Sequence, residues 1–143
     1  MKRILLTFSL FTAQILFAQD VEIKKSIATF FEGMHTKDTI KMQLVCSKHL
    51  LLQSISDKPK HTELSVEEAS KFYKSVAALP RNLKIEERLL DYKIQIDGPM
   101  AHVWTPYEFY INDKLSHKGV NSFQLFNDNG TWKIVYIIDT RRR

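Results

Sequence analysis

A carboxylate and an imidazole in the last third of the chain form the pair best suited to acid–base chemistry. Glu108 and His117 lie in two runs rich in aromatic and β-branched residues, which a short Asn112-Asp113 connection joins. A two-residue turn there would place Glu108 opposite His117 on neighbouring strands. His117 could then act as a general acid or base that Glu108 orients. The alternative interpretation is a cross-strand ion pair at an exposed rim, which contributes little.

The same register predicts one sheet face that forms the wall of a ligand pocket. It places Trp104 opposite Asn121, and a regular turn over residues 127–130 adds the even-numbered residues of the last strand, including Tyr136. Aromatic rings on this face could stack on a flat ligand, although such residues also build ordinary cores. The predicted ligand-binding residues are Trp104, Glu108, Tyr110, His117, Asn121 and Tyr136.

The opposite face of these strands is also rich in apolar residues under this register. It includes Val103, Tyr107 and Phe109, which is too apolar a surface for open water. A second copy of the same sheet is the simplest partner, so we expect a homodimer through this outer face. Asp139 and Arg141 fall on the same outer face by parity, where we expect a salt bridge, either with Lys118 opposite Asp139 or across the dimer.

No other motif for catalysis or metal binding is recognised in the sequence. The remaining histidines lack the close spacing of a metal site, and neither a metal nor a cofactor is expected. The single cysteine, Cys46, lies in an apolar stretch and is expected to be a buried small residue. Without an internal disulfide, stability must come from the hydrophobic core.

Helical periodicity precedes the strands. An amphipathic helix that stops before Asp38 is predicted by the stripe Ile23, Ile27, Phe30, Phe31 and Met34. Asp38 or Thr39 can cap a short second helix that ends at about Val45. Ser65 and Glu68 have the spacing of a capping box. A third helix following this box is predicted by the stripe Ala69, Phe72, Tyr73, Val76 and Leu79.

Strand patterns occupy the rest of the chain. Residues 50–55 predict a short first strand, and residues 85–96 alternate in the manner of a strand before a turn at Asp97-Gly98-Pro99. Three long strands follow over residues 100–111, 115–126 and 131–139. Helices followed by an antiparallel meander predict an α+β fold with the helices on one sheet face.

The N-terminus has the layout of a secretory signal peptide. A basic start is followed by the mostly apolar run 4–17, which is too short for a spanning helix, and Ala18 is a plausible cleavage residue. We expect residues 1–18 to be removed and residues 19–143 to form one exported domain, periplasmic or secreted, with no membrane attachment. Loss of Lys2 and Arg3 lowers the formal charge from +5 to +3, a modest excess that argues against nucleic-acid binding.

Several segments carry a resemblance to a known family. They are Glu87–Tyr92, Val103–Tyr110, Ser116–Phe123, and Trp132–Ile134 with Asp139–Arg142. In these segments the chain resembles the nuclear transport factor 2-like (SnoaL-like) superfamily, and within it small proteins that carry a lumazine-binding label. The resemblance covers nearly all of residues 19–143 and is strongest from residue 86 onward. It implies a cone of curved antiparallel sheet wrapped around helices.

One departure from the family pattern bears on chemistry. The segment beginning Gly119-Val120 commonly continues with aspartate in similar sequences, and in cyclase relatives that aspartate is the acid or base. Here the matching residue is Asn121, whose amide cannot exchange a proton at ordinary pH. Lys118 stands where the relatives with the lumazine-binding label often have cysteine.

Three functions are therefore expected from the sequence. The first is non-catalytic binding of a flat or apolar small molecule. The second is an enzyme of the isomerase, cyclase or hydrolase type that uses His117 and Glu108 as its acid–base pair. The third is a structural or interaction module whose pocket is filled by its own side chains.

Overall fold

The computed structural model describes residues 2–58 and 61–142, with side chains from residue 18 onward. Three helices are present in this part of the chain: α1 (Lys2–Thr36), α2 (Thr39–Leu44) and α3 (Ala69–Ala77). The strands follow in the order β1 (Cys46–Lys58), β2 (His61–Glu68), β3 (Ile85–Leu89), β4 (Lys93–Asp97), β5 (Met100–Ile111), β6 (Lys114–Asp128) and β7 (Thr131–Arg142). The α+β class predicted from the sequence is confirmed.

Helix α1 contributes one apolar face to the core. Its five stripe residues, Ile23, Ile27, Phe30, Phe31 and Met34, are all buried, as the periodicity predicted. They pack on the inner face of the sheet, where the ring of Phe31 meets that of Phe123 edge-on at 6.0 Å. The Ser26 hydroxyl donates to the Trp132 carbonyl at 2.8 Å, so this helix is also tied to β7 by a buried hydrogen bond.

The turn after α1 is fixed by two polar side chains. Lys37 has a positive φ of 60°, which ends the helix, and its ammonium group donates to the carbonyls of Pro80, Arg81 and Leu83. The Asp38 carboxylate accepts from the Lys41 backbone N–H at 3.0 Å and caps α2, as predicted. The α1–α2 turn is thereby joined to the loop between α3 and β3.

The signal-peptide prediction falls largely on residues 1–17, whose side chains lie outside the described part of the structure. It stays a prediction. Among the described residues, no helix combines the length and the hydropathy needed to cross a membrane.

The strands form one mostly antiparallel sheet in the order β2-β1-β7-β6-β5-β3. Strand β4 pairs with β5 on the same side as β3, so the predicted strand 85–96 is divided into two short pieces along β5. Strands β1 and β7 pair in parallel. The two predicted hairpins are confirmed, and their tight turns have positive φ at Asn112, Asp113, Asn129 and Gly130.

The predicted capping box of α3 is wrong. Ser65 lies within β2, where its hydroxyl donates to the Ser54 carbonyl of the neighbouring strand. Glu68 occupies the position before the helix but makes no side-chain capping bond. Cross-strand pairing with β1 extends to Glu68 and overrides the local capping signal, whereas the apolar stripe of α3 does pack against the core as predicted.

A β-bulge at Ser116 changes the predicted register of the first hairpin. Ile111 pairs with Lys114 as expected, but Tyr110 then pairs with Leu115, and Phe109 pairs with His117. Ser116 is the extra residue, so every later partner on β6 is displaced by one position. The prediction that Glu108 lies opposite His117 is therefore wrong, and Glu108 pairs with Lys118.

A second bulge at Val135 divides the inner face of β7. Leu125 pairs with Ile134 and Gln124 with Tyr136, which leaves Val135 as the extra residue. Before the bulge the even-numbered Trp132 and Ile134 are buried, and after it the odd-numbered Ile137 and Asp139 are buried. The sheet residues on the helix side are Ala101, Val103, Thr105, Tyr107 and Phe109 on β5, with His117, Asn121, Phe123 and Leu125 on β6.

Candidate functional site

A cavity of about 450 Å³ lies between the helices and the inner face of the sheet. Helices α1 and α3 supply apolar and aromatic lining residues, which are Phe30, Phe31, Met34, Phe72 and Val76, and Leu79 adds to them from the loop after α3. The sheet and the α3–β3 loop add Leu52, Leu83, Ile85, Phe109, Ile111 and Ile137. A cavity of this size and composition can take a small organic molecule with an apolar body.

One carboxyl group in the cavity wall is bonded to an amide. The Asn121 Nδ2 atom on β6 donates to Oε1 of Glu87 on β3 at 2.6 Å, and the two side chains meet across β5. Burial raises the pKa of Glu87 to about 8; the nearby Asp139 charge acts in the same direction, whereas the Asn121 hydrogen bond and Arg141 oppose it. Glu87 is therefore a protonated carboxylic acid at neutral pH.

A second carboxyl group, that of Asp139, has the opposite environment. Its oxygens accept hydrogen bonds from the hydroxyls of Ser54 and Tyr107 and form an ion pair with Arg141 at 2.8 Å. Asp139 and Arg141 were predicted to lie on the outer face, with Lys118 or a second copy as the salt-bridge partner; instead they pair with each other and line the cavity.

His117 lines the cavity between two aromatic rings. Its imidazole stacks on Phe109, with ring centroids 4.9 Å apart, and contacts the edge of the Tyr107 ring at 5.8 Å. The Ser116 hydroxyl lies 3.2 Å from Nδ1 of the imidazole. Burial raises the pKa of Tyr107, and the neighbouring Asp139 charge adds to this effect, so the phenol stays protonated.

Of the six predicted ligand-binding residues, the structure brings His117 and Asn121 to the cavity. The other four, Trp104, Glu108, Tyr110 and Tyr136, are not among its lining residues. Glu108 accepts a hydrogen bond from the Tyr110 hydroxyl at 2.7 Å, and Tyr136 donates to Gln53. The displaced registers at Ser116 and Val135 account for this difference, because they place β5 and the end of β7 on faces opposite to those predicted.

Glu87 lines the cavity but was not predicted from the sequence as a site residue. It stood within a segment that carried the family resemblance, but no role was attached to it. The signal available was the alternation in Ile85–Leu89, which places Ile85 and Glu87 on one face, so a charged residue shares a face with a core residue. His35 at the end of α1 holds this strand, because its Nε2 atom accepts from the Glu87 backbone N–H at 2.8 Å.

Two further kinds of site, a reactive thiolate and a metal centre, are not formed by the described residues. Cys46 is buried as predicted, and burial raises the pKa of its thiol to about 11, so it is not a thiolate at neutral pH. Within residues 18–58 and 61–142, no three His, Cys, Asp or Glu side chains are placed to hold a metal ion.

Comparisons with known proteins address the fold. No protein-family model matches the sequence, and no curated protein sequence matches it. Many solved structures do match. One is an NTF2-like protein of unknown function from Shewanella baltica, with a TM-score of 0.66 and 13% identity, over 89% of this chain and 96% of that chain.

Two other similar structures carry functional descriptions. The β subunit of a proposed aromatic-ring-hydroxylating dioxygenase from Novosphingobium aromaticivorans has a TM-score of 0.72 and 12% identity, over 90% of this chain and 92% of that chain. A proposed dehydratase of the NTF2-like family from Streptomyces avermitilis has a TM-score of 0.61 and 14% identity, over 85% of this chain and 94% of that chain.

At these identities the similarity shows the fold alone, and it does not extend to the lumazine-binding subgroup. The helices on one sheet face, the order of the strands and the superpositions agree with one another. The chain therefore has the nuclear transport factor 2-like fold, an α+β arrangement in which N-terminal helices pack on a curved, mostly antiparallel sheet.

Proposed function

We propose that this protein binds a small molecule with an apolar body and a polar end in the cavity between helices and sheet. The observation that carries the proposal is the composition of the cavity wall. Aromatic and aliphatic side chains form most of it, whereas Glu87, Asn121, Asp139, Arg141 and His117 are polar. Apolar walls with a few placed polar groups are typical of sites that bind and orient organic ligands.

The cavity volume also bears on the alternative of a structural module. Such a module needs a pocket that its own side chains fill, whereas about 450 Å³ is open between α1, α3 and the sheet. Interiors are normally packed with few voids larger than a water molecule. The space is open to solvent on one side, so a bound ligand would bury apolar wall that water now contacts.

Native mass spectrometry of the protein purified from the cells that make it tests the binding function. We expect a reproducible added mass that disappears on denaturation. A Ser75→Trp variant places an indole at the cavity wall and should lose the added mass. Lys74→Trp is the matched control, because it adds the same side chain to an exposed position of α3 that does not line the cavity. An added mass that survives equally in both variants would contradict binding in this cavity.

A second candidate function is acid–base catalysis on the bound molecule. It is favoured by two carboxyl groups in one cavity that have different partners: burial keeps Glu87 protonated beside Asn121, whereas Asp139 is bonded to Tyr107 and paired with Arg141. Glu87 takes the place of Glu108, which lies opposite Lys118 and is not a partner of His117. Release of the captured molecule in a chemically changed form, absent from a Glu87→Gln variant, would support catalysis; release unchanged from both would refute it.

We propose a homodimer through the outer face of the sheet. The residues on this face differ from those predicted, because the bulges exchange the two faces of β5, but the face is again partly apolar. It carries Trp104, Pro106, Val120, Tyr136 and Ile138, with Trp104 42% exposed. Analytical ultracentrifugation should show a dimer that Trp104→Glu dissociates. Ile40→Glu, an equally drastic change at an exposed position of α2, should leave the dimer intact.

Export with removal of residues 1–18 completes the proposal. Its support is the basic start and apolar run of the N-terminal sequence. The denatured mass measured in the same spectrometry experiment reports the mature N-terminus. A mass that corresponds to a chain beginning near Gln19 would agree with export, and a full-length mass in the cytoplasmic fraction would contradict it.

A further inference from the structure

Hydrogen-bond donors and acceptors are unevenly distributed at the polar end of the cavity. Asp139 is already saturated as an acceptor. Its Oδ1 atom accepts from Ser54 and Arg141, and its Oδ2 atom accepts from Tyr107 and Arg141. The Tyr107 hydroxyl has a single proton, which it shares between Oδ2 of Asp139 and the carbonyl of Thr140 at 3.0 Å. A ligand that needs an acceptor from Asp139 would have to displace one of these donors.

Glu87 presents a donor to the same space. Its Oε1 atom accepts from Asn121, and among the described residues no hydrogen bond reaches its Oε2 atom. Because burial raises the pKa of this carboxyl to about 8, it holds a proton at neutral pH. The proton belongs on Oε2, since Oε1 is the oxygen that accepts from the amide. The carboxyl therefore offers an O–H group at the cavity wall.

Resting on the binding function proposed above, we propose that the ligand is a neutral molecule whose carbonyl oxygen accepts a hydrogen bond from the Glu87 carboxyl. The arrangement that carries this inference is a saturated acceptor beside an unused donor in one cavity wall. An ammonium ligand would instead require ionised Glu87 close to Asp139, and it would lose its own hydration on entering the apolar cavity. A ketone, aldehyde, ester or amide is neutral, so it neither requires ionised Glu87 nor has to shed the hydration of a charge.

The titratable groups around Glu87 are consistent with this assignment. Asp139 and Arg141 on β7 act on its charge, and Tyr107 on β5 and His117 on β6 line the same cavity. From α1, His35 accepts the backbone N–H of Glu87, and burial lowers the pKa of that histidine, so it stays neutral. Strand β2 adds Glu67 at an exposed position of the cavity wall, and α3 lines the cavity with Phe72, Ser75 and Val76, none of which titrates.

Three compounds with one ring system test the inference. They are 2-acetylnaphthalene, 2-ethylnaphthalene and 1-(2-naphthyl)ethylamine, which share a naphthalene and a two-carbon substituent but present a carbonyl, no polar group and an ammonium. At pH 7, isothermal titration calorimetry should show the ketone bound about tenfold more tightly than the hydrocarbon, the worth of one well-placed hydrogen bond. The amine should bind more weakly than the ketone.

Titration of Glu87 supplies the second readout. At pH 9.5 the carboxyl is ionised and cannot donate, so the tenfold advantage of the ketone should disappear. Glu87→Gln keeps an N–H donor at every pH and should retain the advantage at pH 9.5. Glu67→Gln is the matched control, because it neutralises the other glutamate of the cavity wall and should leave the pH dependence as it is in the unmodified protein.

Each contrary result overturns a defined part of the reasoning. Equal affinity for ketone and hydrocarbon, tighter binding of the amine, or an unchanged pH dependence in Glu87→Gln would overturn the carbonyl assignment while the cavity still binds. Failure of all three compounds to bind would refute the binding function itself, and this inference with it. The comparison of the three ligands on the unmodified protein holds even where a variant folds poorly.

Discussion

Replacing Glu87 by glutamine isolates the energetic consequence of a carboxyl group in the cavity wall. The pKa of Glu87 lies at about 8 in the folded protein, mainly because burial disfavours the charged form, against an ordinary value of 4.5. Between these pH values the unfolded chain has lost a proton that the folded protein keeps. The free energy of unfolding therefore falls by about 1.4 kcal/mol per pH unit, so this group alone removes about 3 kcal/mol between pH 5.5 and pH 7.5.

Glutamine keeps the oxygen that accepts from Asn121 but cannot ionise. Urea unfolding followed by circular dichroism at pH 5.5 and pH 7.5 measures the effect. The stability of Glu87→Gln relative to the unmodified protein should rise by about 3 kcal/mol between the two pH values. All other titrating groups are common to both proteins and cancel in this difference.

Glu86→Gln provides the matched control for this experiment. Glu86 is the preceding residue of β3, but its carboxylate pairs with Arg88 at 2.9 Å, and that hydrogen bond lowers its pKa. Glu86 titrates below this pH window. The stability of Glu86→Gln relative to the unmodified protein should therefore be the same at pH 5.5 and pH 7.5. A relative stability of Glu87→Gln that is constant from pH 5.5 to pH 7.5 would refute the conclusion that Glu87 is held in its protonated form.

Three further predictions concern the scaffold around the cavity. Lys37→Met removes the ammonium that bonds three carbonyls of the α3–β3 loop, and urea unfolding should show a loss of about 2 kcal/mol. Thr105→Val removes a buried hydroxyl that has no partner among the described residues, so the same assay should show a gain of about 1 kcal/mol, and any loss would contradict that reading. Deletion of Ser116 should be tolerated, because the pairing on both sides of the bulge then becomes continuous; if the variant is unfolded by circular dichroism, the bulge is itself required for folding.

Local signals in the sequence were sufficient for most elements of this fold, but strand β2 was not predicted. The stripe of α1, the Asp38 cap and the Asn/Asp/Gly turns each depend on residues within a few positions of one another. The capping box at Ser65 failed because a cross-strand partner, Ser54, satisfies that hydroxyl and pairing continues to the end of β2. Such competition depends on residues far away in sequence and is invisible to a local pattern.

The candidate site was predicted only in part, because face assignments depend on register. His117 and Asn121 were placed correctly, since β6 alternates regularly beyond Ser116. Trp104 was placed on the wrong face, since a single extra residue changes which β5 residues share a face with His117. A bulge that contains serine, with no glycine or proline to mark it, leaves no sequence signal by which its position could have been found.

The two bulges give the cavity its polar end. If Ser116 were paired regularly and not bulged, a tight turn at residues 112–113 would place His117 and Asn121 on a face with Glu108, away from Phe109. If Val135 were paired regularly and not bulged, burial of Trp132 and Ile134 under α1 would turn Asp139 to the outer face. The same strands can thus build an apolar core at one end and a hydrogen-bonding wall at the other. It follows that chemistry cannot be transferred among proteins of this fold by strand parity alone, and that Glu87, Asn121 and Asp139 must be compared with relatives in three dimensions.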